Sequence, residues 1–96
     1  ALSDFGETRL TDQDIRTREI EALERAEILV AEVTIPSLGV GYLIAHASAH
    51  DKKTIALYQG TDTLKLSAMI QGDPKVNVCM YEHDEDIENV LEIAFS

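Results

Sequence analysis

Hydrophobic and polar positions follow two rhythms along the 96-residue chain. The first is helical. Ile15, Glu19, Leu23 and Ala26 recur at close to one turn, placing them along one stripe. Thr11 stands where it can cap this helix, and Asp12 and Asp14 suit its positive end, so a helix is expected to run to Arg25 or Ala26. The second rhythm is an apolar run without alternation, Ile28-Leu29-Val30-Ala31, which is the pattern of a parallel strand covered on both faces. This strand, Glu27–Val33, must end before Pro36, which has no N–H to give to a ladder. Ser37 then reads as an N-cap, and the apolar and small residues from Val40 to Ala49 as a helix, Ser37–His50, packed on the sheet. Gly39 and Gly41 mark a close approach of backbone in its first turns.

The remaining pattern repeats the same alternation. Thr54–Tyr58 reads as a short buried strand, Leu64–Ile70 as one or two helical turns closed by Gly72-Asp73-Pro74, and Val76–Tyr81 as a further strand. Asp84–Phe95 closes the chain as a helix with Ile87, Val90, Leu91 and Ala94 on one face. Ala1–Phe5, ended by Gly6, reads as another short strand. Alternating strands and helices predict an α/β fold: a Rossmann-like or flavodoxin-like, mostly parallel sheet with flanking helices, in a single domain over residues 1–96. The strand Ile28–Val33, the most apolar, is expected at the centre of the sheet. Ala1–Phe5 is a poor neighbour for its second side, so the layout lacks a strand before residue 1.

Composition narrows the functions. No apolar run reaches the roughly 18 residues a membrane helix needs, and the first residues lack a signal peptide's basic and apolar regions. The net charge of −10, from 18 acidic and 8 basic residues, repels nucleic acid polymers and acidic lipid. A small phosphorylated ligand is compatible with that charge, because a helix N-terminus supplies donors locally. The acidic run Glu82, Asp84, Glu85, Asp86, Glu88 and Glu92 reads as a solvated helix face. The single cysteine, Cys79, cannot form an internal disulfide and reads as a buried thiol in a cytoplasmic protein, or a nuclear one in a eukaryote. His46 and His50 lie four apart without the glutamate of H-E-x-x-H or a third ligand, so no metal and no cofactor are expected. Gly39 and Gly41 are not a dinucleotide fingerprint, since Ile44 takes the third glycine's place.

The stretch Ala31-Glu32-Val33-Thr34-Ile35-Pro36-Ser37-Leu38-Gly39-Val40-Gly41-Tyr42 resembles the signature of the nucleoside 2-deoxyribosyltransferase family, and within it the 2'-deoxynucleoside 5'-phosphate N-hydrolases. Leu66-Ser67-Ala68-Met69-Ile70 resembles a second segment of that subgroup at matching distance. The helix Asp14 to Ala26 matches more loosely. The resemblance covers essentially the whole chain but only the later part of a family member, without its first strand-helix unit. It implies a Rossmann-like homodimer that cleaves the N-glycosidic bond of 2'-deoxynucleoside 5'-monophosphates by a carboxylate-assisted retaining mechanism. Hydrolysis is favoured over transfer to another base. The implied partner is a small-molecule deoxynucleotide, not a nucleic acid polymer or a membrane.

Residue by residue, the resemblance places Ser37, Gly39 and Gly41 at a phosphate-binding turn. Ser67, Ala68 and Met69 fall in a segment that reaches the neighbouring subunit's site in such dimers. Glu19 stands where the family has an aspartate near the sugar. Leu43 stands where the family has its nucleophilic glutamate. Cleavage at C1' builds an oxocarbenium-like sugar that needs a carboxylate nearby, and a leucine has no lone pair to offer it. Three readings therefore stay open: an N-glycosidase, a nucleotide-binding homologue without turnover, and a structural domain that pairs through an open strand edge. Glu19 also has a plain reading, an ion pair with Arg16 one turn earlier. Glu32 is not expected to replace the nucleophile, because the family carries a glutamate there as well.

Overall fold

In the computed structural model, which describes residues 10–95, the first helix starts where its cap predicts. Helix α1 spans Asp12–Arg25. The Asp14 amide donates to the Thr11 hydroxyl at 3.0 Å, and the Thr11 amide donates back to the Asp14 carboxylate at 3.2 Å. This reciprocal box satisfies two N–H groups that the helix itself cannot pair. Ile20 and Leu23 are buried, and α1 packs on helix α2, Leu38–Ala49. At its other end the Lys52 ammonium donates to the Glu24 and Ala26 carbonyls at 3.1 and 2.8 Å. The expected strand Ala1–Phe5 lies outside the described residues.

Among the described residues three parallel strands form the sheet: β1 Ile28–Glu32, β2 Lys53–Gln59 and β3 Val76–Tyr81, in the order β1-β2-β3. Register pairs Val30 with Ile55 and Ala56 with Val78. Helix α2 and the single turn α3, Ala68–Gln71, cover one face, over Ala31, Val33, Ile44, Ala56, Tyr58, Leu66 and Val76. Helix α4, Ile87–Phe95, covers the other. There Ile87, Val90, Leu91 and Ala94 meet Ile55, Leu57 and Tyr81, as the helical spacing predicts. A 3-10 turn, Asp84–Asp86, begins that closing segment.

Among the described strands β2 is central, and the apolar run expected at the centre has a described neighbour on one side, supplied by the strands that follow it. Thr54 through Tyr58 are all buried, with Ile55 and Ala56 fully so. Strand β1 lies at an edge of the described sheet, where Ile28 and Val30 remain 36% and 41% exposed. Their side chains project on the α4 side, and α4 packs over β3 rather than reaching β1. Only the alternate residues Ala31 and Val33, turned toward α2, are buried. Cys79 is likewise half-buried rather than buried, and desolvation against the α4 cluster raises its thiol pKa.

Candidate functional site

The turn from β1 into α2 separates two depressions. Ser37 caps α2, its hydroxyl accepting from the Val40 amide at 3.2 Å while its own O–H points to no described acceptor. On one side, α1 and α2 enclose an open groove of about 580 Å³. Glu19 and Arg16 reach it from α1, and Ser37, Gly39, Tyr42 and Leu43 from α2. On the other side, α2 and the segment around α3 enclose a cleft of about 550 Å³. Its floor is Val33, Ile44, Leu66 and Ile70, and its polar rim holds Ser37, Gly41, Lys65, Ser67 and Asp73.

The residues singled out in the sequence thus divide in two. Glu19, Ser37, Gly39 and Leu43 share the groove; Gly41, Ser67 and Met69 line the cleft, which Ser37 also joins. Ala68 lines neither. Ser67 is an N-cap in its own right, accepting from the Met69 amide at 3.2 Å.

The glycines do not make the close protein contact expected of them. A Cβ built on Gly41 would meet nothing within 4 Å, and one on Gly39 would reach only the Ser37 hydroxyl at 4.0 Å. No packing among the described residues requires glycine at either place. What the missing side chains leave open is the surface of the first turn of α2, facing the groove and the cleft.

The expected pair between Arg16 and Glu19 does not form. The Arg16 guanidinium donates instead to the Tyr42 hydroxyl, from Nε at 3.0 Å and Nη2 at 2.9 Å, and lies 5.4 Å from that ring's centroid. Two of the guanidinium's donors thus converge on one hydroxyl oxygen, and the charge lies near the ring, so Arg16 is directed to α2 and not along its own helix. Glu19 is left exposed on the groove wall without an ion-pair partner among the described residues. Local spacing could not have signalled this, because Tyr42 lies 26 residues away.

Glu32 is engaged elsewhere. Its carboxylate accepts from the Thr34 amide and hydroxyl, both at 2.7 Å, and from the Tyr81 hydroxyl. Burial alone pushes its pKa up, but the Tyr81 and Thr34 hydrogen bonds prevail and hold it below the ordinary value. It lines neither depression. His46 and His50 stack with centroids 4.2 Å apart, and one His50 ring nitrogen sits 2.8 Å from the His46 carbonyl. Among the described residues no three His, Cys, Asp or Glu side chains converge. No described helix is long and apolar enough to cross a membrane.

No protein-family model matches the chain. Individual proteins do. A Danio rerio protein named 5-hydroxymethyl-dUMP N-hydrolase is 42% identical over 98 aligned residues, covering 99% of this chain and 68% of its own length. The chain belongs to the 2'-deoxynucleoside 5'-phosphate N-hydrolase family. A human protein, also named 5-hydroxymethyl-dUMP N-hydrolase, is 39% identical over 87 residues, 88% of this chain and 49% of its own length. A Syntrophotalea carbinolica protein, named as a 2'-deoxynucleoside 5'-phosphate N-hydrolase, is 39% identical over 83% of this chain and 56% of its own length. The chain therefore spans between about half and two thirds of these N-hydrolase relatives.

Proposed function

We propose that the chain binds a 2'-deoxynucleoside 5'-monophosphate in the α1–α2 groove and hydrolyses its N-glycosidic bond. The observation that carries this reading is the meeting of Glu19, Ser37, Gly39 and Leu43 along one groove. Membership of a family whose members are named for that substrate class supports it. The 5'-phosphate would accept from the Ser37 hydroxyl and the first amides of α2, where the helix dipole favours negative charge. Gly39 lets the phosphate approach the backbone, since no side chain stands in its way.

In the reaction, the C1'–N bond breaks with its electron pair leaving on the base. Positive charge then builds on the deoxyribose, and Glu19 is the groove carboxylate assigned to stabilise it. Water adds to C1' through its oxygen, keeps one hydrogen as the new hydroxyl and gives up the other, which balances the proton taken up by the departing base, so the products are free base and 2-deoxyribose 5-phosphate. Leu43 makes part of the groove wall apolar where the family resemblance expects the nucleophile. That substitution favours a second reading, in which the groove holds the nucleotide without turnover.

A second copy of the chain is part of the proposal. Ile35, Leu38 and Met69 line the α2–α3 cleft yet are 80%, 96% and 84% exposed. Apolar side chains so exposed beside a cleft suit a homodimer interface. A cytoplasmic setting accords with the unpaired Cys79.

Release of free base from deoxynucleoside 5'-monophosphates, 5-hydroxymethyl-dUMP among them, tests the first reading by chromatography of the products. Base release that is lost in Glu19→Gln supports it. Binding in calorimetry without base release selects the second reading, and neither binding nor release refutes both.

A further inference from the structure

We propose that Tyr81, Glu32 and Thr34 form a clamp that sets the position of the β1–α2 turn, with Glu32 as a positioning residue for the bound phosphate. The inference rests on the nucleotide reading above for the identity of the ligand. One carboxylate gathers the carboxyl ends of all three strands. Glu32 closes β1 and Tyr81 closes β3, and the Tyr81 hydroxyl donates to Glu32 across β2. The β2 end joins through Thr34, whose hydroxyl donates to Glu32 at 2.7 Å and accepts from the Gln59 amide at 2.8 Å. The Thr34 amide completes the set at 2.7 Å from the second carboxylate oxygen.

The position of these bonds gives them their consequence. The Val33 amide still follows the sheet, donating to the Leu57 carbonyl at 2.8 Å. Thr34 is the next residue, and three residues later the chain must present Ser37 and the open first turn of α2. From Val33 to Leu38, every residue except Thr34 lines the α2–α3 cleft. Thr34 is the one residue of the segment whose side chain is hydrogen-bonded to the strand ends. Both of its polar groups are used there. A network in which each member is satisfied holds a single geometry, whereas a cleft-lining segment without it has only weak apolar contacts. Tyr81 is 7% exposed, so its hydroxyl is delivered by a ring fixed in the α4 core. Glu32 itself lies outside both depressions and acts only through Thr34.

The test compares wild type with Tyr81→Phe, Thr34→Val, Glu32→Ala and Glu32→Gln. Two quantities are measured well below the unfolding temperature. One is the calorimetric affinity for 5-hydroxymethyl-dUMP relative to its nucleoside; the other is amide exchange at Val40 and Gly41, the amides paired with Ser37. A clamp predicts that Tyr81→Phe, Thr34→Val and Glu32→Ala each lower the monophosphate-to-nucleoside affinity ratio about tenfold, the worth of one hydrogen bond to a charged group. It also predicts faster exchange at both amides in those variants. Glu32→Gln, whose amide oxygen can accept from the Thr34 amide while its NH2 donates to the Thr34 and Tyr81 hydroxyls, stays within about threefold of wild type. A purely structural network would shift the unfolding transition and leave the ratio within about twofold in every variant, and that result overturns the proposal. If wild type binds no monophosphate, the nucleotide reading fails and exchange alone decides. Faster exchange in Tyr81→Phe then upholds the clamp, and unchanged exchange removes it.

Discussion

The Tyr81 hydroxyl donates to the Glu32 carboxylate over the top of the central strand, joining β3 to β1, which share no ladder. The bond affects both titrations. It counters the effect of burial on Glu32 and holds that carboxyl below its ordinary 4.5, while it raises the Tyr81 phenol. A carboxylate with a depressed folded pKa contributes stability that is complete above the unfolded value. That stability is lost as pH falls through the folded one. Acid unfolding followed by circular dichroism should therefore steepen below about pH 4.5. Tyr81→Phe should lower stability at neutral pH and change it little at the acid end, so that its curve is flatter across that limb.

The open first turn of α2 separates stability from binding. A methyl group at Gly41 meets nothing, and at Gly39 it barely touches Ser37. Gly41→Ala should raise stability by about 0.5–1 kcal/mol in urea unfolding, because alanine loses less backbone entropy in a helix. Gly39→Ala should be neutral or mildly stabilising and should weaken deoxynucleotide binding in calorimetry. A variant that is more stable yet binds less well would show that the glycine serves the ligand.

Helix α1 carries Glu19 and Arg16 to the groove, and Thr11 fixes its start. Thr11→Ala should cost about 1 kcal/mol of stability, the usual worth of an N-cap, and should lower the urea midpoint without changing its slope.

Leu43 and Glu19 face the same groove from different helices. Restoring a carboxylate with Leu43→Glu should raise the rate of base release from deoxynucleoside monophosphates by at least about tenfold if the rest of the site is competent. Glu19→Gln in that background should reduce it again. An unchanged rate in Leu43→Glu would mean that the groove lacks more than its nucleophile.

Much of the fold was legible because its signals are local. Thr11 with Asp14 announces a cap, Ser37 another, and Val76–Tyr81 is a strand bounded by the Asp73-Pro74 turn and by Glu82. The helical segment expected over Leu64–Ile70 is shorter because two local bonds delay it. The Asp62 carboxylate accepts from the Leu64 amide at 3.1 Å, and Ser67 caps only at Ala68. How deeply each strand is buried was not legible. An apolar run states that a strand prefers cover, not which neighbours it receives, so Ile28 and Val30 stand partly bare while Thr54 in β2 is fully buried.

The candidate site was legible in part for the same reason. The β1–α2 turn carries Ser37, Gly39 and Leu43 within seven residues, so their proximity follows from the chain itself. The partners chosen by Arg16 and Glu32 depend on residues 26 and 49 positions away, and no periodicity encodes them.

The groove's role is tested most directly by following backbone amide resonances during titration with 5-hydroxymethyl-dUMP. Saturable shifts centred on Ser37 to Val40, extending to Glu19 and Leu43 and much weaker with the nucleoside, are the predicted result. No saturable shift in that turn, or shifts confined to the edge of β1 or to α4, would contradict it.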